Sequence, residues 1–364
     1  MHDAAMIPHS RPQFGAEWLE GVARVLRSGH LAAGDEVRRL ESEVAARLLQ
    51  PHAAAVDSGT SALMLAIRAL KAAKPSKGPT FVVGVPAYTC AAVLHAVQAA
   101  GAAPLCMDCG DDLRLDRDKA STKADQFAKQ LDAVVLAHPF GGVEPAIADD
   151  WPCPVIEDFS QSAGACWQGR ALGGYGDISI VSFYATKPWG GACGGMVLSH
   201  DQQIMAQIRR MRRSDACEPG LHYVGNHQLS DMHAVLVRMR LQQADRERER
   251  RNSCAALFDD CFAAADHASL STVGSDSYYR YILRCSAGAE AVIRHFRQRR
   301  ICACRPVKQP ISTLLGDDSC HGAERAWQTC VSIPLLSDFS AHETAQMCEA
   351  IDALPAFLSG HLNG

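Results

Sequence analysis

The chain has 364 residues, which is long enough for two domains. Of these residues 48% are hydrophobic and 21% are charged, which is ordinary for a globular protein. A formal net charge of −4 gives no reason to expect nucleic acid or an anionic membrane as a partner. No apolar run approaches the roughly 18 residues of a membrane span, and no secretory signal is visible after Met1, so we expect a cytoplasmic protein.

Short apolar strands alternate with helical stretches between about residues 80 and 197. The predicted strands cover 81–85, 104–107, 133–137, 154–156, 178–183 and 195–198, and the predicted helices cover 60–73 and 89–100. Alternation of this kind predicts an α/β fold in which a mostly parallel sheet is covered by helices.

The C-terminal part of the chain has a different pattern. A long helix is predicted over 229–262, and its mixed charges at 245–251 favour a solvated face. A strand over 279–285, a helix over 287–299, a strand over 301–304 and a final helix over 341–354 follow. We therefore predict a large domain over 1–245, and a second region over 246–364 that continues the long helix into a smaller α+β domain.

Fifteen cysteines are scattered along the chain. The single Cys-x-x-Cys spacing is Cys106 to Cys109, and no second pair stands where it would complete a tetrahedral zinc site. We therefore predict no metal site, and interpret the cysteines as small buried hydrophobic residues in a reducing compartment.

Two early segments carry candidate binding residues. Gly59, Thr60 and Ser61 precede a predicted helix, where free backbone amides and the helix dipole suit a phosphate, although a plain N-cap explains the same residues. Tyr88 follows an apolar strand, where an aromatic ring can stack on a flat cofactor or simply pack.

The segment from residue 155 to 195 is the most informative. Asp158 ends one apolar strand, Gln161 follows it, and Lys187 comes after the next strand, which contains Ser182. Ligands of open parallel sheets bind outside the carboxyl ends of the strands. A lysine and an acid placed there suit pyridoxal phosphate (PLP), because the lysine amine forms a Schiff base with the aldehyde and the acid keeps the pyridine nitrogen protonated.

These motifs, in this order, resemble those of the DegT/StrS-type sugar aminotransferases, which are PLP enzymes of fold type I (aspartate aminotransferase-like). The similarity covers most of the chain. It is carried by 31–37, 58–63, 86–89, 157–161, 182–187 with 194–195, and 225–231. The resemblance implies a large domain with a mostly parallel sheet flanked by helices and a smaller α+β C-terminal domain.

The resemblance also implies a role for each matching residue. Lys187 and Asp158 would be catalytic, with Lys187 bound to pyridoxal 5'-phosphate and moving a proton while Asp158 pairs with the pyridinium. The cofactor would further be held by Gly59, Thr60, Ser61, Tyr88, Gln161, Ser182 and, from the neighbouring subunit, Asn226. The partners implied are an amino acid donor such as L-glutamate, a keto sugar carried on a nucleotide, and a second copy of the chain in a homodimer with shared active sites.

Some residues depart from the family pattern. Gln228 stands where many members have arginine, and Arg305 lies in a region where relatives often have a histidine–tyrosine segment near the substrate. The acceptor could therefore be an unusual keto sugar, a cyclitol or another ketone. Two further functions are compatible with the same fold, a sugar dehydratase and a non-catalytic PLP-binding regulator. Dehydratases of this kind typically have histidine in place of the lysine, and no added DNA-binding module is visible.

Overall fold

The structure, a computed structural model, describes residues 6–74, 76–117, 130–213, 215, 223–264, 277–285 and 288–355. Its strands in chain order are β1 (His52–Val56), β2 (Val82–Pro86), β3 (Ala103–Met107), β4 (Ala133–Ala137), β5 (Val155–Asp158), β6 (Cys166–Trp167), β7 (Arg170–Ala171), β8 (Ile178–Ser182), β9 (Gly195–Ser199), β10 (Tyr281–Arg284) and β11 (Cys330–Ile333).

Seven of these strands form one central sheet in the order β1-β9-β8-β5-β4-β2-β3. Strand β9 runs antiparallel to both of its neighbours, and every other pair in the sheet is parallel. The predicted mostly parallel sheet is therefore confirmed. Since β2, β5 and β8 run in the same direction, the residues that follow them meet along one edge of the sheet.

The sequence prediction missed one strand of this sheet, β1. It reads His-Ala-Ala-Ala-Val, and alanine is a weak strand former. The strand forms because it pairs with β9 along its whole length and its last four residues are buried. Tertiary packing therefore overrides local propensity here.

Helices cover both faces of the sheet. In chain order they are α1 (Ala16–Ser28), α2 (Asp35–Arg47), α3 (Gly59–Ala73), α4 (Ala91–Ala99), α5 (Gln202–Met211), α6 (Asp231–Ala264), α7 (Ala289–Gln298), α8 (Ile311–Leu315), α9 (His321–Thr329) and α10 (Ala341–Asp352). Apolar residues of α3, α4 and α5 pack on one face, and those of α2 and the first half of α6 pack on the other.

The C-terminal part has its own core, in which the end of α6, α7 and α10 pack around the antiparallel pair β10–β11. The prediction of a strand over 301–304 is wrong. Ile301 pairs only with Ile7 and Cys304 only with Ser332, as isolated bridges. Residue 287, the predicted start of a helix, lies outside the described residues, and the domain division at residue 245 stays a prediction. None of the helices in the described part of the chain is both long and apolar enough to cross a membrane.

Candidate active site

A cavity of about 270 Å³ lies at the carboxyl ends of β5 and β8 and at the start of α3. It is near the lower end of the roughly 300–1,000 Å³ usual for small-molecule sites. Six of the predicted site residues line it, namely Gly59, Thr60, Asp158, Gln161, Ser182 and Lys187. These residues are separated by up to 128 positions in sequence, and the parallel sheet brings them together.

The neighbours Glu157 and Asp158 point to opposite faces of β5, as successive residues of a strand do. Asp158 lines the cavity, and its Oδ1 accepts a hydrogen bond of 2.9 Å from the backbone amide of Ser160. The hydroxyl of Ser160 in turn accepts a bond of 2.9 Å from the amide of Ser182. The carboxylate is thus fixed to the same network that positions the neighbouring strand end.

Glu157 has a structural environment. Its side chain is fully buried and accepts hydrogen bonds from His138 Nε2 at 3.0 Å and from the amides of Gly173 and Gly176 at 2.6 and 3.0 Å. Burial raises the pKa of Glu157, but the bond from His138 and the amide bonds outweigh it, so the pKa lies below its ordinary value. The Nδ1 atom of His138 accepts from the amide of Glu144, which fixes a neutral imidazole that donates through Nε2.

The start of α3 forms one corner of the cavity. Ser58 is the N-cap, and its hydroxyl accepts from the amide of Ser61 at 3.1 Å. A Cβ on Gly59 would lie 2.6 Å from the Cβ of Ser182, so only glycine lets the helix start approach the end of β8 this closely. Ser61 is buried and bonded to Ser58, so the structure brings Thr60 and not Ser61 to the cavity.

Lys187 stands in a tight turn after β8. Its amide donates to the carbonyl of Tyr184 and its carbonyl accepts from the amide of Gly190, both at 2.8 Å. A Cβ on Gly190 would lie 2.3 Å from that Tyr184 carbonyl, and one on Gly191 would lie 2.8 Å from Val237. The glycines thus let the turn fold back under the lysine.

The amine of Lys187 lies over an aromatic ring that the sequence did not single out. Its Nζ is 5.1 Å from the centroid of the Tyr279 ring, within cation–π range. Arg280 Nη2 donates to the Tyr279 hydroxyl at 3.0 Å. Burial raises the pKa of Tyr279, but the charges of Lys187 and Arg280 and a hydrogen bond with Thr186 outweigh it, so the pKa lies below its ordinary value. Tyr279 follows Lys187 by 92 residues, so no local motif could have linked them.

A second, smaller cavity of about 60 Å³ adjoins Lys187 on the side of Tyr279 and Arg280. Arg251 and Glu247 of α6 line it, and Arg251 is only 9% exposed. The solvated face predicted over 245–251 is confirmed at 245, 246, 249 and 250, which are exposed. It does not extend to Arg251, which turns inward and donates to the carbonyl of Tyr278 at 2.9 Å.

Tyr88 is not where a ring-stacking residue would stand. It is 3% exposed, packs edge-on against Phe140 with ring centroids 6.2 Å apart, and donates its hydroxyl to the carbonyl of Ala326. The predicted stacking role is corrected, because the apolar contacts of this ring draw it away from the cavity. From the same turn, Thr89 and Cys90 line the cavity instead.

Gln161 lines the cavity with one end of its amide already engaged. Its Oε1 accepts a hydrogen bond of 2.8 Å from the amide of Phe140. Its Nε2 is therefore the end that can donate to a ligand oxygen. The cavity is also lined by residues that the sequence interpretation did not assign to it: Tyr184, whose side chain is largely exposed, and the thiol of Cys193.

Asn226 is exposed and does not line the cavity of its own chain. The surrounding motif has a structural part. Asp231 is buried, and its carboxylate accepts from the amides of Gly34, Glu36 and Val37 at the start of α2. The segments 31–37 and 225–231, which are far apart in sequence, are thus bonded to each other.

Comparison with known proteins places this geometry among characterised folds. The sequence profile of the DegT/DnrJ/EryC1/StrS aminotransferase family matches residues 12–352. The crystal structure of S. venezuelae DesV in complex with a ketimine intermediate superposes with a TM-score of 0.85 at 25% identity, over 96% of this chain and 98% of that one. The expected α/β fold is therefore confirmed.

Two curated relatives differ in what they do. The chain is 34% identical over 231 residues to the UDP-N-acetyl-3-dehydro-alpha-D-glucosamine 3-aminotransferase of Acidithiobacillus ferrooxidans, covering 61% of this chain and 60% of the relative. It is 28% identical over 254 residues to the pleiotropic regulatory protein of Geobacillus stearothermophilus, covering 68% of this chain and 66% of the relative. Each match spans less than two thirds of the relative's length.

Proposed function

The chain belongs to the DegT/DnrJ/EryC1/StrS aminotransferase family. From this premise we propose that it moves an amino group from an amino acid donor to a nucleotide-linked keto sugar, with L-glutamate as the proposed donor. The observation that carries the proposal is the convergence of Lys187, Asp158 and the start of α3 on one cavity. The relative that acts on a UDP-linked dehydro sugar supports the substrate class.

The residues present fit pyridoxal 5'-phosphate, the cofactor of this family. The cavity has an amine at one side, a carboxylate at the far end of β5, and a helix start held close to Ser182 by Gly59. Amine, acid and anion-binding corner are the three features that the aldehyde, ring nitrogen and phosphate of this cofactor require. When bound, the cofactor supplies a carbon for amine exchange and a ring that accepts an electron pair.

Two side chains would carry the chemistry. Lys187 Nζ would attach the cofactor covalently and, once displaced by the amine of the donor, move a proton at the reacting carbon. Asp158 would hold a proton on the ring nitrogen, because an ionised carboxylate beside that nitrogen favours its charged form. The hydrogen bond from Ser160 to Asp158 keeps the carboxylate in place for this role.

The remaining cavity residues would bind and orient. The amides at the start of α3, with Thr60 and Ser182, would bind the phosphate, and Gln161 Nε2 would donate to the ring oxygen. Tyr279 would position the lysine amine through its ring face.

We also propose a homodimer in which Asn226 reaches the phosphate of the partner's cofactor. Asn226 is exposed, and its segment is bonded to the turn between β1 and α3, because the amide of Asp57 donates to the carbonyl of His227 at 3.0 Å. This position supports the proposal. Mixed dimers with Lys187→Ala on one chain and Asn226→Ala on the other test it. With shared sites, one of the two sites carries both changes and the other carries neither, so about half of the activity should remain. If each site instead draws both residues from one chain, each of the two sites carries one change and nearly all activity should be lost. That result contradicts sharing.

The test of the reaction has two stages. Mixing the purified holoenzyme with L-glutamate should release about one equivalent of 2-oxoglutarate per site and change the absorbance of the cofactor, and adding UDP- or dTDP-linked 3-keto sugars should then give turnover. Turnover with cyclitol ketones but not with nucleotide sugars would replace the proposed acceptor.

A non-catalytic regulator is the second candidate, favoured by the relative from Geobacillus stearothermophilus. It predicts cofactor binding without release of 2-oxoglutarate from any amino acid donor. A sugar dehydratase predicts loss of a sugar hydroxyl without net amination, and Lys187 weighs against it. The glutamate reaction therefore separates the aminotransferase from the regulator, and the sugar product separates the aminotransferase from the dehydratase.

A further inference from the structure

A cluster of three potential metal ligands lies outside the active site. It joins Cys106 in β3, Asp317 in the segment after α8, and Cys320 at the N-cap of α9. Their ligand atoms all lie within 4.8 Å of one another. In a tetrahedral zinc site with Zn–S of about 2.3 Å and Zn–O of about 2.1 Å, ligand atoms stand roughly 3.6–3.8 Å apart, so a small contraction would suffice.

We propose that Cys106, Asp317 and Cys320 bind one thiophilic divalent cation, with Zn²⁺ as its occupant. Two sulfur ligands and one carboxylate select zinc over the hard cations Mg²⁺ and Ca²⁺, which prefer oxygen. Within the part of the chain that the structure describes, no fourth His, Cys, Asp or Glu joins the group, so water would complete the coordination. The sequence predicted no metal site, because Cys106 and Cys320 are 214 positions apart.

The thiol of Cys320 is not used to cap its helix. As N-cap of α9 it makes no side-chain cap bond. Asp108 takes that place, and its carboxylate accepts from the amides of Gly322 and Ala323 at 3.0 and 2.9 Å. Cys320 is 4% exposed and Cys106 is partly buried, so both sulfurs are shielded while Asp317 faces partly outward. The arrangement leaves the sulfur of Cys320 directed to the cluster and not to its helix.

The arrangement of polar groups supports a cation at this place. The thiols of Cys106 and Cys320 are hydrogen-bonded to each other, and the carboxylates of Asp317 and Asp108 lie beside them. A divalent cation would replace the proton between the two sulfurs and offset the negative charge that converges there.

Such an ion would join the edge of the central sheet to the C-terminal part of the chain. The two segments already approach closely, because a Cβ on Gly322 would lie 1.8 Å from the carbonyl of Cys109. Each ligating thiol gives its proton to the solvent, so binding should release roughly one to two protons per ion. An ion that binds only the folded chain raises the melting temperature, and none of its ligands lines the cavity with Lys187.

The test is titration of the reduced holoenzyme with Co²⁺ and Zn²⁺. One Co²⁺ per chain should give the intense absorption of thiolate-bound cobalt, Zn²⁺ should displace it, and Zn²⁺ should raise the melting temperature. Cys320→Ser and Cys106→Ser should each weaken the affinity by about tenfold or more. Asp317→Asn, on a partly exposed segment, gives the same readout if a cysteine variant fails to fold.

The chain offers a matched control in Cys261 and Cys348. These thiols are also hydrogen-bonded to each other, but no third ligand joins them among the described residues. Cys261→Ser should therefore leave the affinity for Co²⁺ unchanged. The proposal is overturned if the reduced wild-type chain binds no stoichiometric Co²⁺ or Zn²⁺, if Cys320→Ser binds as tightly, or if the two cysteines are found only as a disulfide that excludes metal.

Discussion

The two sides of Lys187, each lined by its own cavity, are built in different ways. On the sheet side, Asp158, Ser182 and Lys187 come from 30 consecutive residues, and adjacent strands place them. On the opposite side, Tyr279 and Arg280 come from just before β10, and α6 adds Arg251. The first side has the features that a cofactor needs, and the second offers charged and aromatic groups around the lysine amine. Changes on the sheet side should therefore abolish chemistry, while changes around Tyr279 should tune it.

The largest effect is expected for Lys187→Ala. Loss of the covalent attachment and of the proton-transferring amine should lower kcat by about 10⁴-fold, the upper end of what a positioned acid–base group contributes. The rate of 2-oxoglutarate release in single turnover measures it. Lys308→Ala, which removes an exposed lysine, is the control and should be as active as the wild type. Activity of Lys187→Ala within tenfold of the wild type would contradict the catalytic role of Lys187.

The second largest effect on kcat is expected for Asp158→Asn. Removing one partner of a buried ion pair costs about 3–5 kcal/mol. If that loss falls on the transition state, kcat drops by about two to three and a half powers of ten. Steady-state kinetics with glutamate and the keto acceptor measure the drop, and a change below fivefold would contradict the role of this carboxylate.

The neighbouring Glu157→Gln is the matched change on the other face of β5, and its effect should be on stability. Replacing the carboxylate, which accepts from the neutral His138 and from the amides of Gly173, Tyr175 and Gly176, should lower the free energy of unfolding by about 1.5–3 kcal/mol, the cost of losing a hydrogen bond to a charged group. Urea denaturation measures the difference. An unchanged unfolding midpoint together with a large loss of kcat would show that the two acids had been assigned the wrong roles.

The same variant has a defined pH dependence. The pKa of Glu157 in the folded chain lies below its ordinary value of 4.5, so its contribution to stability is present above about pH 4.5. It is lost as the pH falls through the folded-state pKa. The difference in unfolding free energy between wild type and Glu157→Gln should therefore be constant near neutrality and shrink below about pH 4.5. A difference that grows with acidity would have the wrong sign.

The smallest effect concerns Tyr279, whose ring lies over the amine of Lys187. A cation–π contact contributes about 0.5–2 kcal/mol, so Tyr279→Leu should lower kcat by about two- to thirtyfold. Tyr279→Phe keeps the ring face and should lose less than about threefold. Equal losses in both variants would show that the hydroxyl, bonded to Arg280, matters and the ring does not.

The sheet side could be predicted from sequence because its residues follow strands of strong apolar pattern, and parallel strands bring their ends together. Asp158, Gln161 and Ser182 were predicted in this way, and the structure places all three on the cavity. Tyr88 could not be placed, because an aromatic at the end of a strand can turn either to a ligand or to a core, and its contact with Phe140 decides the matter.

The other side had no local signal. Tyr279 reaches Lys187 only through the packing of the C-terminal part, and the thiols of Cys106 and Cys320 meet for the same reason. The strand β1 was missed because alanines carry little strand preference until β9 pairs with them. What the sequence could not predict is therefore what depends on contacts between distant segments.

Borohydride reduction of the holoenzyme, followed by proteolysis and mass mapping of the peptides, tests the central claim most directly. A pyridoxyl group on the peptide that contains Lys187, in about one copy per chain, is the result that the proposed site predicts. A reduced adduct on another lysine, or on none, would contradict it.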